Sequence, residues 1–253
     1  MAWPPKLSCR PSSRARGGRC KAEVEAGHGG GALEVDESRV IKTFEGAEAI
    51  LYVVKWIDGL AVVKKRIAKP YRSRVLDEEL RAKRTAVEAR AMKASLEAGV
   101  PAPTPYLVDL PGTTIVMEYI EGTTLADVIE DNPARGEEEM RVLGRITGML
   151  HEANIAHGDL TTSNVIVAKK GSLVLIDFGL ASLRADELDQ AVDVHLLARS
   201  LEATHPHYSG RLLEAFMKGY GEVRGEKASK MLELVREIRL MGRYREERLK
   251  RRE

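Results

Sequence analysis

The residues best able to do chemistry lie in two short runs, His157-Gly158-Asp159-Leu160-Thr161-Thr162-Ser163-Asn164 and Leu175-Ile176-Asp177-Phe178-Gly179. They hold two carboxylates and an amide oxygen, hard donors of the kind that suit magnesium. Asp159 stands where a carboxylate would orient or deprotonate an attacking hydroxyl or water. Asn164, five residues on, can reach a metal through its side-chain oxygen. Asp177 follows an apolar run at 173–176, so its carboxylate would emerge at a strand end while Phe178-Gly179 turns the chain. An acid beside two metal ligands is what phosphoryl transfer from ATP with Mg2+ requires. Taken alone, Asp159 would be read as a helix cap or a loop residue. The ordered succession of apolar helix, H-x-D-L-x-x-x-N, apolar hairpin and D-F-G is what points to the chemistry.

The elements that must position these groups follow from apolar patterning. Val40-Ile41, Ile50 to Val54 and Leu60 to Lys64 read as an antiparallel meander, with Asp58-Gly59 as a hairpin signal. A helix is expected from about Asp77 to Glu97, with Leu76, Leu80, Val87, Ala91 and Leu96 as its apolar stripe and Gly99 and Pro101 as its stop. Two more strands, at 106–109 and 114–119, complete a small lobe of five strands and one helix. After Glu121-Gly122 the chain turns helical. Met140, Leu143, Ile146 and Leu150 form one stripe, short strands at 165–167 and 173–176 flank Lys170-Gly171, and helices are expected near 188–203, 209–219 and 226–242. The fold class is thus α+β. Its parts are a tail at 1–33, a sheet lobe at 34–120, a reduced helical lobe at 121–235 and a basic C-terminal tail at 236–253.

Composition bounds the partners. The chain has 253 residues, 43% hydrophobic, enough for one substantial core or two small lobes. Forty basic and thirty-eight acidic side chains nearly cancel, so charge matters locally. Six basic residues and no acidic one lie between Lys6 and Lys21, in a stretch rich in Gly, Arg, Pro and Ser that reads as disordered. The last eighteen residues hold eight basic and four acidic side chains. Two cysteines, Cys9 and Cys20, offer neither a metal-ligand spacing nor a disulfide framework, and a cytoplasmic setting is expected. No apolar run approaches the roughly 20 residues of a membrane helix, so no membrane partner is expected.

The two chemical runs resemble the catalytic loop and metal motif of the protein-kinase superfamily, which implies a bilobal protein-kinase-like fold. By that resemblance Asp159 is catalytic, Asn164 and Asp177 are metal ligands, and the cofactors are ATP and Mg2+. Lys64, ending Ala61-Val62-Val63-Lys64, resembles the lysine that binds ATP phosphates, and Glu88 its ion-pair partner. Met117, Glu118 and Ile120 resemble the hinge, where the Glu118 carbonyl and the Ile120 N–H would bind adenine. The turn Glu45-Gly46-Ala47-Glu48 would cover the phosphates, although it has one glycine where most protein kinases have three. Glu48 at its tip could pair with Lys64 when ATP is absent. Only thirteen residues, 180–192, separate Gly179 from Asp193, with no A-P-E, and position 158 is Gly where many protein kinases carry Arg. An activation loop is therefore not expected. Asp193 is expected to accept backbone N–H groups of the catalytic loop, and His157 to pack structurally. For Thr161, Thr162 and Ser163, backbone hydrogen bonding is weighed above a role as phosphoacceptors.

Within the superfamily, HGDLTTSN and the short segment after it resemble the small atypical kinase of the KEOPS complex over about residues 38–245. Lys69-Pro70-Tyr71-Arg72, Arg84-Thr85, Glu88-Ala89-Arg90 and Thr204-His205-Pro206 carry the same likeness. The resemblance implies ATP hydrolysis and Ser/Thr autophosphorylation in support of threonylcarbamoyladenosine formation in tRNA. It also implies binding of the threonylcarbamoyl transferase subunit by the C-lobe, of a small accessory subunit by the N-lobe, and of tRNA by the basic tail. Arg239, Arg243, Arg245, Arg248, Lys250, Arg251 and Arg252 would neutralise phosphates there, with Tyr244 as a stacking residue. Two alternatives are a small-molecule phosphotransferase, for which 122–156 leaves little room, and a non-catalytic nucleotide-binding scaffold. A Rio-type kinase also lacks an activation loop, but D-F-G is not its usual metal motif.

Overall fold

The computed structural model describes residue 33, residues 35–57 and residues 59–250, with Glu37 and the last ten as backbone alone. The expected tail at 1–33, save its last residue, lies outside the described residues, as do Asp58 of the expected hairpin turn, residues 251–253 and the tail side chains from 241 on. Two compact units divide the chain.

One unit comprises the described residues up to 89 together with 103–119. It is built on a five-stranded antiparallel sheet of order β1-β2-β3-β5-β4, from β1 (Val40–Glu45), β2 (Ala49–Trp56), β3 (Gly59–Arg66), β4 (Pro105–Asp109) and β5 (Thr114–Glu118). Alternation along the central strand β3 sends Ala61 and Val63 into a cluster with Val54 and Val116, against which Leu33, Val35 and Trp56 pack. Val62, Lys64 and Arg66 therefore share the other face, and all three are buried.

Helix α1 (Arg74–Glu97) follows, and the division between the units falls inside it, after Ala89. Its expected apolar stripe holds only in its middle, where Ala91 is fully buried and Leu80 and Val87 are half-buried. Leu76 is 48% and Leu96 37% exposed, whereas Asp77, Thr85, Glu88 and Ser95 are buried. Ion pairing is the reason. Asp77 accepts from Arg81 Nε at 2.6 Å, and Glu88 receives two cations from β3. Paired carboxylates can be buried where unpaired ones cannot, so ion pairing joins hydropathy, seen in the buried Ala91 and Met92, in selecting the inward face.

The other unit holds residues 90–102 and the chain from 120 onward. A second antiparallel sheet has the order β6-β7-β8, from β6 (Gly122–Thr124), β7 (Val165–Ala168) and β8 (Leu173–Leu175). The sequence gives no sign of β6, because three polar residues have no alternation to read. Five helices follow: α2 (Leu125–Asp131), α3 (Pro133–Glu152), α4 (Glu187–Thr204), α5 (Ser209–Arg224) and α6 (Lys227–Lys250). Side-chain caps start α3 and α4, where Asn132 accepts from Arg135 N and Asp186 from Asp189 N.

The α3 stripe of Met140, Leu143, Ile146 and Leu150 is buried as expected. Helices α3 and α5 approach so closely that a Cβ on Gly144 would lie 2.0 Å from the Phe216 oxygen, and one on Gly219 would lie 1.9 Å from the Arg141 oxygen. Helix α6 runs through position 236 without a break. Arg239, counted above with the tail, is held on α4 by a 2.6 Å bond to Glu202. Among the described residues no helix is long and apolar enough to cross a membrane.

Candidate active site

Residues 156–164 form a loop fixed from below and from one side. Asp193 on α4 accepts the His157 N–H at 2.5 Å and the Gly158 N–H at 2.7 Å. Its Oδ2 also lies 3.3 Å from His151 Nε2 on α3, and His151 Nδ1 lies 2.9 Å from the Tyr220 hydroxyl on α5. The expected anchoring by Asp193 is present. His151 is a part of it that the sequence reading missed, although its place one residue past the α3 stripe was the available signal. Burial pushes the His151 imidazole down despite its contact with Asp193, so the ring is neutral and the contact is a hydrogen bond. Burial likewise pushes the Tyr220 phenol up to about 12.

This neutral histidine implies a pH dependence. A group whose folded pKa is lowered contributes stability above its unfolded value, near 6.5, and that stability is lost as pH falls. The same direction holds for His195 and His205. The melting temperature is expected to fall from pH 7 to pH 5, with His151 supplying at most about 1.4 kcal/mol per pH unit. A shallower slope in His151→Gln is the expected result, and an unchanged slope would remove His151 from the account.

His157 is fully buried and packs against Phe178 with ring centroids 4.7 Å apart. Its Nε2 donates to the Ile176 oxygen at 3.0 Å and its Nδ1 accepts the Asp159 N–H at 3.3 Å, so both nitrogens serve the backbone. Asn164 Nδ2 donates to the Asp159 backbone oxygen at 2.9 Å and to its carboxylate at 3.0 Å. The amide plane thereby turns Asn164 Oδ1 away from Asp159. Thr162 corrects the expectation of backbone bonding, since its buried hydroxyl has no partner among the described residues.

Ile176 N donates to the Asn164 oxygen at 3.0 Å, which ties the strand end to the loop. Asp177 then takes φ 64°, and its carboxylate accepts the Gly179 N–H at 3.4 Å. The segment after Gly179 returns at once to the loop. Ala156 and Ser182 exchange N–H to oxygen bonds of 2.9 Å each, and Ala185 N donates to Asn154 O at 2.8 Å. Gly158, at φ 79°, lies under this return, where a Cβ would sit 2.1 Å from the Leu180 oxygen. The arginine found there in many protein kinases could not be accommodated.

In the sheet unit, Lys64 Nζ lies 2.6 Å from Glu88 Oε1. Glu88 Oε2 receives a second cation, Arg66 Nη2, at 2.5 Å. The sequence reading did not include Arg66, although its i, i+2 spacing from Lys64 on a strand places it on the same face. The β1–β2 turn is closed by Gly46 N to Ala49 O at 2.9 Å and held by Ile67 N to Glu48 O at 3.0 Å. Lys69 Nζ donates to the Ala47 oxygen. Glu45 ends β1 and, like Ala47, is exposed. The proposed Glu48–Lys64 pairing is corrected, because Glu48 is bonded by Arg84, with Arg66 at 3.9 Å. The Arg84 guanidinium holds the Glu48 carboxyl below its ordinary range. Arg84 and Arg66 can outcompete an ammonium there because a planar fork matches a carboxylate.

Met117 is buried on β5, and Glu118 is tied to Thr104, its carboxylate accepting from Thr104 Oγ1 at 3.0 Å and its N–H donating to the Thr104 oxygen at 2.9 Å. In the other unit, Ile120 packs on Ile166, Val174 and Ile176. Asn164 and Asp177 offer hard oxygen donors, and magnesium is commonly bound through one or two protein ligands plus substrate phosphates, so the donor set fits that ion.

An aspartate held by an asparagine on an anchored loop, followed by a carboxylate at a strand end, is set within a protein-kinase-like fold. The family model of the RIO domain matches residues 61–197. The fold is that of the Rio2 kinase of Chaetomium thermophilum, both in a solved complex with ADP, Mg2+ and phosphoaspartate (TM-score 0.53, 20% identity, 78% of this chain and 70% of that one) and without it (TM-score 0.51, 19% identity, 79% and 72%). The matched stretch includes Asp177-Phe178-Gly179, so D-F-G does not set the chain outside the RIO domain. The chain is 44% identical over 212 residues to the KEOPS complex subunit Bud32 of Pyrococcus abyssi, covering 80% of this chain and 95% of that protein. It is 33% identical over 218 residues to the EKC/KEOPS complex subunit bud32 of Dictyostelium discoideum, covering 83% and 85%. Against a probable bifunctional tRNA threonylcarbamoyladenosine biosynthesis protein of Methanothermobacter thermautotrophicus the identity is 38%, covering 79% of this chain and 36% of that protein. The chain belongs to the Bud32 family of RIO-domain proteins.

Proposed function

We propose that this chain is an ATPase and atypical serine/threonine protein kinase acting as a subunit of a KEOPS complex in tRNA threonylcarbamoyladenosine formation. One observation carries the reading. The acid and amide of the catalytic loop are set by Asp193, while the segment after Gly179 is pinned back at Ser182 and only seven residues, 180–186, precede α4. A site with its chemistry assembled but without a peptide platform suits water, or a nearby hydroxyl, as the nucleophile.

In this reading Asp159 takes the proton of the attacking oxygen as the bond to the γ-phosphorus forms and the bridging bond to ADP breaks. Asn164 and Asp177 would hold magnesium, which would neutralise charge on the phosphate oxygens. Lys64, set by Glu88, contacts phosphates, and the turn Glu45 to Glu48 covers them. Met117, the Glu118 carbonyl and the Ile120 N–H receive adenine. The names of the relatives support a complex and a tRNA product. We assign the transferase subunit to the C-lobe, the accessory subunit to the N-lobe and tRNA to the tail on the family resemblance. Residues 122–156 are taken up by β6, α2 and α3, which disfavours a small-molecule acceptor insert.

The test is release of phosphate from labelled Mg-ATP with and without the threonylcarbamoyl transferase subunit. Partner-stimulated release that disappears in Asp159→Ala is expected. Equal release by the variant, or transfer of label to a small acceptor, would overturn the reading.

A further inference from the structure

We infer that Arg66 is a positioning residue for nucleotide binding, acting through Glu88 on Lys64. The inference rests on the reading of Lys64 as the phosphate-binding lysine. Lys64 and Arg66 stand two residues apart on β3 and share its buried face. Between them they divide one carboxylate, with Oε1 of Glu88 2.6 Å from Lys64 and Oε2 2.5 Å from Arg66. Glu88 is fully buried and the Arg66 side chain is 5% exposed, so neither contact is diluted by solvent.

A carboxylate held at one oxygen can rotate about its last torsion, whereas one held at both is fixed in plane and depth. Arg66 is itself fixed. Its N–H donates to the Thr113 oxygen at 3.1 Å, and it pairs across the sheet with Ala49. The far side of its guanidinium lies 3.9 Å from Glu48, at the tip of the β1–β2 turn. One planar cation thus joins the turn to the carboxylate that sets Lys64, a bridge that a fork can make and a point charge cannot. Arg84, reaching Glu48 from α1, closes the same frame. The frame gives a physical reason why this turn can do with one glycine. It is held in shape by cations from β3, α1 and the linker between them, so its approach to phosphates does not depend on a permissive backbone.

The test is equilibrium binding of a fluorescent ATP analogue with magnesium to the full chain, in a cycle of Arg66→Gln, Glu88→Gln and the double variant. Each single change is expected to weaken binding about tenfold, the scale of one charge-assisted hydrogen bond. The double variant is expected to be no weaker than Glu88→Gln, because Arg66 reaches Lys64 through that carboxylate and Arg84 still holds Glu48 at the turn. Arg66→Lys, which keeps the charge but cannot span Glu88 and Glu48 at once, should restore only part of the binding, leaving it about threefold weaker than the parent. If Arg66→Gln fails to fold, the same cycle is run with Arg66→Lys, whose small loss should vanish in the Glu88→Gln background. Effects that multiply in the double variant, or a lowered melting temperature with unchanged affinity, would overturn the inference. In either case Lys64→Met reports separately on the parent reading. Binding lost in Lys64→Met but intact in Arg66→Gln sinks only the role of Arg66, whereas a wild-type chain that binds no nucleotide overturns both.

Discussion

Replacing Asp177 with asparagine is expected to cut magnesium-dependent ATP turnover by about a thousandfold, a loss of about 4 kcal/mol of transition-state stabilisation. Asparagine is the informative choice because of the backbone. Asp177 adopts φ 64°, a conformation that Asn and Asp tolerate and that costs alanine about 1–2 kcal/mol. Asp177→Ala would therefore mix loss of a metal ligand with strain at the strand end. Asp177→Asn keeps the turn, and its side-chain oxygen can still accept the Gly179 N–H, but it brings no charge to the metal. The measurement is steady-state phosphate release against magnesium concentration, with thermal melting in parallel. Full turnover in Asp177→Asn would exclude a need for the Asp177 charge at the metal, whereas a lowered melting temperature alone would make its role one of local structure.

The second large effect is expected at Gly158. Alanine there must hold φ 79° and place its Cβ 2.1 Å from the Leu180 carbonyl oxygen, a backbone atom that cannot swing aside. Left-handed strain and overlap together should cost roughly 3 kcal/mol, about 6–12 °C in melting temperature for a chain of this size. The overlap can be relieved only by moving the catalytic loop off Asp193 or breaking the Ala156–Ser182 bridge, and either displaces Asp159. Turnover should fall by about a hundredfold, since a misplacement near 1 Å costs that much. Gly171 is the control. It has φ 87° but nothing within 4 Å of its Cβ position, so Gly171→Ala should show the strain alone, with turnover unchanged. Equal behaviour of the two variants would mean that the close return of Leu180 has no part in activity.

The anchored loop at 157–164 and the turn at 177–179 could be read from sequence because their residues are close along the chain. Asp159 and Asn164 are five apart, and the hydrogen bonds between them follow from a single tight loop. The pairing of Lys64 with Glu88, expected from the kinase resemblance, is present at 2.6 Å. Hydropathy misled on α1, where Leu76 and Leu96 are exposed and Asp77 and Glu88 buried, because pattern reading equates apolar with inward. Strand β6 was invisible, since what makes Gly122 to Thr124 a strand is the ladder offered by Val167 and its neighbours.

The sequence by itself determined the kinase-like fold class, the order of the strands and helices apart from β6, and the shortness of the segment after Gly179. Each of these is local, set by spacing along the chain or by the small count of residues between Gly179 and Asp193. Which charges meet was left to the tertiary structure. Arg66 rather than Lys64 alone holds Glu88, Arg84 rather than Lys64 holds Glu48, and His151 and Tyr220 stand behind Asp193. The physical reason is that a buried carboxylate must be paired. Several cations along the chain could serve, and only the packing of strands against helix and of helix against helix decides which one arrives.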